Sequence, residues 1–188
     1  MNKKLFAALT CALMVFVSCD KLKDATSHDF NVSNVKFKFE APTSGNAVAK
    51  QATIATRAGT DNNFTVTRIV NLSEMGNSDV IEYSKKISNV KVNSSQLNIT
   101  STPAGGYTVA DVKVTAVGVK GELLVSSYTL GSTFSPPANM NAYTAAFVKE
   151  LIKAGTVSVT VSGKTDAPAG TTININYESD LVLTASVL

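Results

Sequence analysis

Apolar and polar residues alternate along most of the chain after residue 30, which is the pattern of strands that bury one face. The alternation is most regular at residues 35–40 (VKFKFE), 156–162 (TVSVTVS) and 172–177 (TININY). A further strand is predicted at residues 64–70, where Arg68 interrupts the apolar face. Residues 181–188 are almost entirely apolar, so we predict a core strand there and expect truncation of this end to be costly.

Turn residues and changes of phase divide the other apolar stretches. The apolar positions of residues 90–99 change phase, which predicts a β-bulge at residues 93–95. Turns are predicted at residues 102–106 and at Lys120-Gly121, the second joining strands at residues 107–119 and 123–133. Pro42 is predicted to end the first strand, and residues 42–63 then form a long loop that is either functional or mobile.

Two stretches follow the helical period instead. The first is predicted from a cap at Ser78 to Ile87, with apolar positions on one side and an exposed pair of Glu82 and Lys86. The second is predicted from a cap at Asn139 to a stop at Gly155, with its apolar face given by Met140, Tyr143, Phe147, Leu151 and Ala154. We expect this second helix to close an open end of the β fold rather than to bind a membrane.

These elements predict a mainly β fold, an antiparallel β-sandwich with two short helices, formed as a single domain over residues 29–188. The alternative is an α+β fold in which the helices pack on one open sheet.

The pattern of residues 1–19 differs from the rest of the chain. Lys3 and Lys4 precede an apolar run of residues 5–17, and Ser18 separates this run from Cys19. A permanent transmembrane helix needs about 20 apolar residues, so this shorter run predicts a cleaved signal peptide over residues 1–18.

The motif Phe16-Val17-Ser18-Cys19 resembles the lipobox of bacterial lipoproteins. The resemblance implies that Cys19 becomes the first residue of the mature chain and carries a diacylglyceryl group, with a further acyl chain such as palmitate on its amino group. Two or more chains give stable membrane anchoring. Residues 19–28 would then be the lipidated cysteine and a polar tether.

The anchor, the tether and the Thr/Ser/Asn/Val-rich β region, with a helix leading into residues 87–92 (ISNVKV), resemble the small β-sandwich lipoproteins of Bacteroidetes. An acidic residue after the cysteine, here Asp20, implies an outer-membrane or cell-surface location in that group. The alternative is the periplasmic face of the inner membrane.

Cysteine content and charge restrict the disulfides and the partners that are expected. Cys11 leaves with the signal peptide, so the mature chain retains one cysteine and no intrachain disulfide is expected. Loss of Lys3 and Lys4 leaves 15 Lys and Arg against 14 Asp and Glu, a net charge near +1. The lysines are scattered along the sequence, which argues against a nucleic-acid partner.

The side chains available for chemistry are few. His28 is the single histidine and falls in the predicted tether, so a Ser/His/Asp or Cys/His site is excluded. Two carboxylate pairs remain as weak candidates for acid–base chemistry, Asp111 with Glu122 and Glu178 with Asp180. Asp61-Asn62-Asn63 lacks the Gly and Glu of a calcium loop, and no phosphate-binding loop is present. We therefore expect no catalytic residues, metal or cofactor.

The sequence as a whole favours a membrane-anchored, non-catalytic envelope protein that acts as a structural or protein-interaction module. A first alternative is a glycan-binding accessory, for which Tyr107 and Tyr128 are the expected exposed aromatics, whereas Tyr83, Tyr143 and Tyr177 are expected on core faces. A second is a carrier of an apolar ligand, which would need a cavity between the sheets and the helix at residues 140–154.

Overall fold

The computed structural model describes residues 27–44, 62–132 and 135–186. The signal peptide, Cys19, most of the predicted tether and residues 45–61 of the predicted loop lie outside the described residues. The strands are β1 (Ser27–Ser44), β2 (Asn62–Asn71), β3 (Ile87–Thr102), β4 (Thr108–Ala116), β5 (Leu123–Val125), β6 (Tyr128–Thr129), β7 (Thr156–Thr165) and β8 (Thr172–Ser186). The helices are α1 (Ser78–Glu82) and α2 (Met140–Ala154), with 3-10 turns at Leu72–Met75 and Ser84–Lys86.

The strands form one antiparallel sheet in the order β3-β8-β1-β2-β7-β4-β5, with β6 paired to β4. β1 joins the two halves, because it pairs with β8 along most of its length and with β2 only at Thr43 and Ser44. The sheet curls so that the two halves face each other, and α2 lies along β3 and closes the opening between them.

The core lies between the facing halves and under α2. Alternate residues of β1 and β7 point into it, as the period of two predicts: Val35, Phe37, Phe39, Val157, Val159 and Val161 are all buried. β8 is also a core strand, with Ile173, Ile175, Leu181 and Leu183 almost fully buried. The predicted mainly β fold is therefore confirmed, with the two layers formed by one continuous sheet.

Pro42 does not end β1, contrary to the sequence-based expectation. It lies opposite Thr172 of β8, and the strand continues to Ser44. The N–H of the next residue, Thr43, points toward β8 and donates to the Thr171 carbonyl, 2.8 Å away. Because successive N–H groups of a strand point in opposite directions, an N–H at position 42 would point away from β8, toward the β2 side. On that side β2 pairs only from Thr43 onward, so the missing N–H of proline costs no ladder bond.

The two helices differ in how well the sequence predicted them. α2 is confirmed, ending at Gly155, which has a left-handed φ of 76°. The first helix is shorter than predicted: α1 ends at Glu82, and a 3-10 turn follows. Its cap is Asn77 rather than Ser78, since the Asn77 side chain accepts a 2.8 Å hydrogen bond from the Asp79 N–H.

The predicted bulge in β3 is confirmed by a change of register between Val92 and Ser94 against β8. A second irregularity lies in β1, on the opposite edge of β8. The register of β1 against β8 changes between Val32 and Val35, and Asn34 there has a φ of 65°. The predicted strand at residues 123–133 is two short strands instead, β5 and β6. Within the part of the chain that the structure describes, no helix is both long and apolar enough to cross a membrane.

Candidate functional surfaces

His28 lies in β1 rather than in a tether. It pairs with Ala185 of β8 at the end of the sheet, and its side chain is exposed. No group of three His, Cys, Asp or Glu side chains within the described ranges is arranged to hold a metal ion. His28 is therefore placed as a solvated strand residue.

The candidate pair Glu178 and Asp180 is engaged in structural contacts. Glu178 forms a 2.9 Å ion pair with Lys36 on the neighbouring strand. Asp180 accepts hydrogen bonds from the Asn34 N–H and the Ser94 hydroxyl, both at 2.9 Å, and so holds both irregular strand segments beside it. The bond from Asn34 and, to a smaller extent, the bond from Ser94 keep the pKa of the Asp180 carboxyl below its usual value. A lowered pKa suits an ionised hydrogen-bond acceptor and not a general acid.

The other candidate pair is split between two lysines. Asp111 forms a 2.9 Å ion pair with Lys164 of β7, and Glu122 pairs with Lys113 of β4. Both acidic side chains are at least one-third exposed, and each is engaged by its own lysine.

An apolar cavity lies where the carrier hypothesis required one, between the two sheet halves and α2. Its walls come from both halves and the helix: Phe37, Leu97, Val114, Leu123, Val161, Ile175, Phe147 and their neighbours. Its volume is about 40 Å³. An apolar cavity that binds benzene has a volume of roughly 150 Å³, so this cavity has room for a water molecule or a methyl group and not for an acyl chain.

Tyr143 and Tyr177 both line the cavity, and their hydroxyl groups differ in hydrogen bonding. The Thr144 hydroxyl donates to the Met140 carbonyl at 2.8 Å, so the Tyr177 hydroxyl donates in turn to the Thr144 oxygen. The Tyr143 hydroxyl is buried and has no hydrogen-bond partner among the described residues. Burial, the larger cause, and the charge of Glu122, the smaller one, together raise the pKa of Tyr143 to about 12.

The expected assignment of exposed and buried tyrosines is partly wrong. Tyr107 and Tyr128 are half-buried and pack against the core, and the Tyr128 hydroxyl donates to the Ser132 carbonyl at 2.8 Å. Tyr83 is exposed instead, beside Phe30. It was expected in the core because Val80, Tyr83 and Ile87 share a helical face, but the helix ends at Glu82 and that face does not exist.

The outer face of β2, β7, β4 and β5 is rich in hydroxyl groups and carries exposed apolar side chains. Thr67 and Thr160 hydrogen-bond across it at 2.9 Å. Of the five large hydrophobic side chains that the described residues expose, three lie on this face: Ile69, Val117 and Leu124. The other two, Ile81 and Tyr83, lie at the end of the sheet where β1 begins.

A basic groove lies at this same end, between the 3-10 turn at Ser84–Lys86, the start of β3 and the last turns of α2. It has a volume of about 400 Å³ and is lined by Lys85, Lys149 and Lys153 with no acidic residue. Sequence reasoning missed it, because Lys85 lies more than 60 positions from the other two lysines. The available signal was the spacing of Lys149 and Lys153, which places both on one helix face.

No protein-family model matches this chain, and no curated protein is significantly similar to it. Among solved structures, a chain titled "Desmodium yellow mottle tymovirus" is similar over 82% of each chain, at 9% identity and a TM-score of 0.23. A likeness this low carries no argument, so function rests on the surfaces of this chain alone.

Proposed function

We propose that this protein is a non-catalytic module of the cell envelope, attached to a membrane through lipidated Cys19 and acting through protein interaction or as a structural part. The observation that carries the proposal is the position of Ser27, the first residue of β1, only eight residues after Cys19. Eight residues span at most about 28 Å, so an acyl group on Cys19 would hold the domain close to the membrane surface.

The state of the acidic side chains supports a non-catalytic role. The candidate carboxylates are each held by a lysine or by hydrogen bonds that stabilise a bulge. The outer face with Ile69, Val117 and Leu124 supports an interaction role, since it combines apolar contact area with hydroxyl groups and two ion pairs, Lys113 with Glu122 and Lys164 with Asp111.

No specific observation favours either alternative function, glycan binding or transport of an apolar ligand. A glycan platform needs exposed aromatics, and Tyr107 and Tyr128 are half-buried. A carrier needs a cavity of ligand size, and the interior cavity measures about 40 Å³.

Membrane fractionation of cells that express the native chain, Cys19→Ala and Cys11→Ala tests the proposal. We expect the native chain and Cys11→Ala in the membrane fraction, because Cys11 leaves with the signal peptide. Cys19→Ala should not be anchored as a mature protein. Equal fractionation of all three chains would contradict the proposal.

A further inference from the structure

We propose that the end of the domain from which the tether leaves binds the anionic surface of the membrane, through the basic groove and the exposed side chains of Ile81 and Tyr83. This inference rests on the proposed anchoring at Cys19. It adds a second contact, which fixes how the domain is oriented on the membrane.

The groove concentrates positive charge that ion pairs among the described residues neutralise only in part. Lys85 and Lys149 have no carboxylate partner among the described residues, and Lys153 has only a 3.5 Å contact with Glu150. Elsewhere among the described residues, the lysines at positions 36, 38, 113 and 164 are in ion pairs, whereas Lys120 is not. Three exposed lysines that line one groove without an acidic lining residue form a site for the phosphates of lipid headgroups.

Apolar side chains lie next to these lysines. The Ile81 side chain is 50% exposed and Tyr83 is 37% exposed. Tyr83 borders a second cleft with His28, Phe30 and the acidic Asp79, while Ser84 and Lys85 border the basic groove. An aromatic and an aliphatic side chain beside cationic groups form the composition of a surface that rests in the headgroup region.

The tether places this surface against the membrane. His28 of β1 lies opposite Ala185, and Ala185 lies opposite Ile87 at the start of β3. Neighbouring strands are about 4.8 Å apart, so Ile87, which lines the groove, is roughly 10 Å from the strand that leads back to Cys19. That distance is well within the reach of the seven residues between Cys19 and Ser27.

The acidic groups at this end lie outside the lining of the groove, although Glu150 is paired with Lys153. Asp79 and Glu82 are on α1, Glu150 is on α2, and Asp29 is on β1, but none of them lines the groove. Lys86 and Lys91 lie beside it in sequence and form no ion pair among the described residues. We therefore expect binding to depend on anionic lipid and to weaken as salt is added.

Vesicle co-sedimentation of the chain from residue 19 onward, carrying Cys19→Ala so that no acyl chain contributes, tests the inference. We expect binding to vesicles of phosphatidylglycerol and phosphatidylcholine, and none to phosphatidylcholine alone. The triple variant Lys85→Gln, Lys149→Gln, Lys153→Gln should bind anionic vesicles more weakly, by about fivefold for each lysine removed. The control triple, Lys36→Gln, Lys113→Gln, Lys164→Gln, removes equal charge from other faces and should retain most of the binding.

A matched pair of isoleucine variants tests the contribution of apolar contact to vesicle binding. Ile81→Ser should weaken vesicle binding, whereas Ile69→Ser, at a more exposed isoleucine on the outer face, should not. As a measurement that needs no variant, acetylation of Lys85, Lys149 and Lys153 should slow when anionic vesicles are added.

Three results would overturn the inference: equal binding to neutral and anionic vesicles, equal weakening by the two triple variants, or tight binding of inorganic phosphate to these lysines without any preference for vesicles. None of them depends on Cys19. A failure of the groove is thus distinguished from a failure of the anchor, which fractionation of the native chain measures.

Discussion

The Tyr143 hydroxyl is a single polar atom that the fold buries without a partner among the described residues. Leaving such a group unpaired costs about 1–3 kcal/mol, so Tyr143→Phe is expected to raise the free energy of unfolding by about 1 kcal/mol. Tyr177→Phe is the contrasting variant, because it removes the bond to Thr144 and should lower stability by a similar amount. Urea denaturation measures both. A loss of stability in Tyr143→Phe would show that this hydroxyl makes a stabilising contact.

The same hydroxyl predicts a dependence on alkaline pH. The pKa of Tyr143 is about 12 in the folded state and about 10 in an unfolded chain, so the fold favours the neutral form. The stabilisation that this group contributes to the folded state is fully present below pH 10 and is lost as the pH rises from 10 to about 12. Burial also raises the pKa of Tyr177, so part of the fall should remain in Tyr143→Phe. An identical fall in the native chain and in Tyr143→Phe, measured by urea denaturation, would contradict this assignment.

At the scale of one element, β8 provides a strict test of the strand pattern. Leu183 is fully buried and Thr184, its neighbour, is half-buried. Leu183→Ala should cost about 2–5 kcal/mol, because it leaves a cavity in the core, and Thr184→Ala should cost less than about 1 kcal/mol. Thermal unfolding of the two variants checks the difference. Comparable losses would mean that the alternation along β8 does not set which face is buried.

Elements could be predicted from sequence where the local pattern and the tertiary environment agree. The alternation around Phe37 and the stop at Gly155 are local properties, and both were predicted. Pro42 was misjudged because its effect depends on which neighbouring strand faces its nitrogen, and that is a property of the whole sheet. The first helix was predicted too long because five helical residues and a 3-10 turn continue the same apolar spacing for two turns.

At the scale of the whole molecule, the mainly β class followed from the strand patterns, whereas the candidate surfaces did not. The basic groove brings Lys85 beside Lys149 and Lys153 through the packing of α2 along β3, and no periodicity in the sequence encodes that contact. Similarly, Ile69, Val117 and Leu124 belong to three separate segments that become one face only through the order of the strands.

Both the proposed function and the proposed orientation of the domain depend on the attachment of lipid to Cys19. Intact mass spectrometry of the protein purified from membranes measures this directly. We predict a chain that begins at Cys19 and exceeds the mass of residues 19–188 by a diacylglyceryl group, or by that group and one further acyl chain. A mass equal to the unmodified chain, with a free thiol on Cys19, would contradict the anchor and with it the proposed orientation of the domain on a membrane.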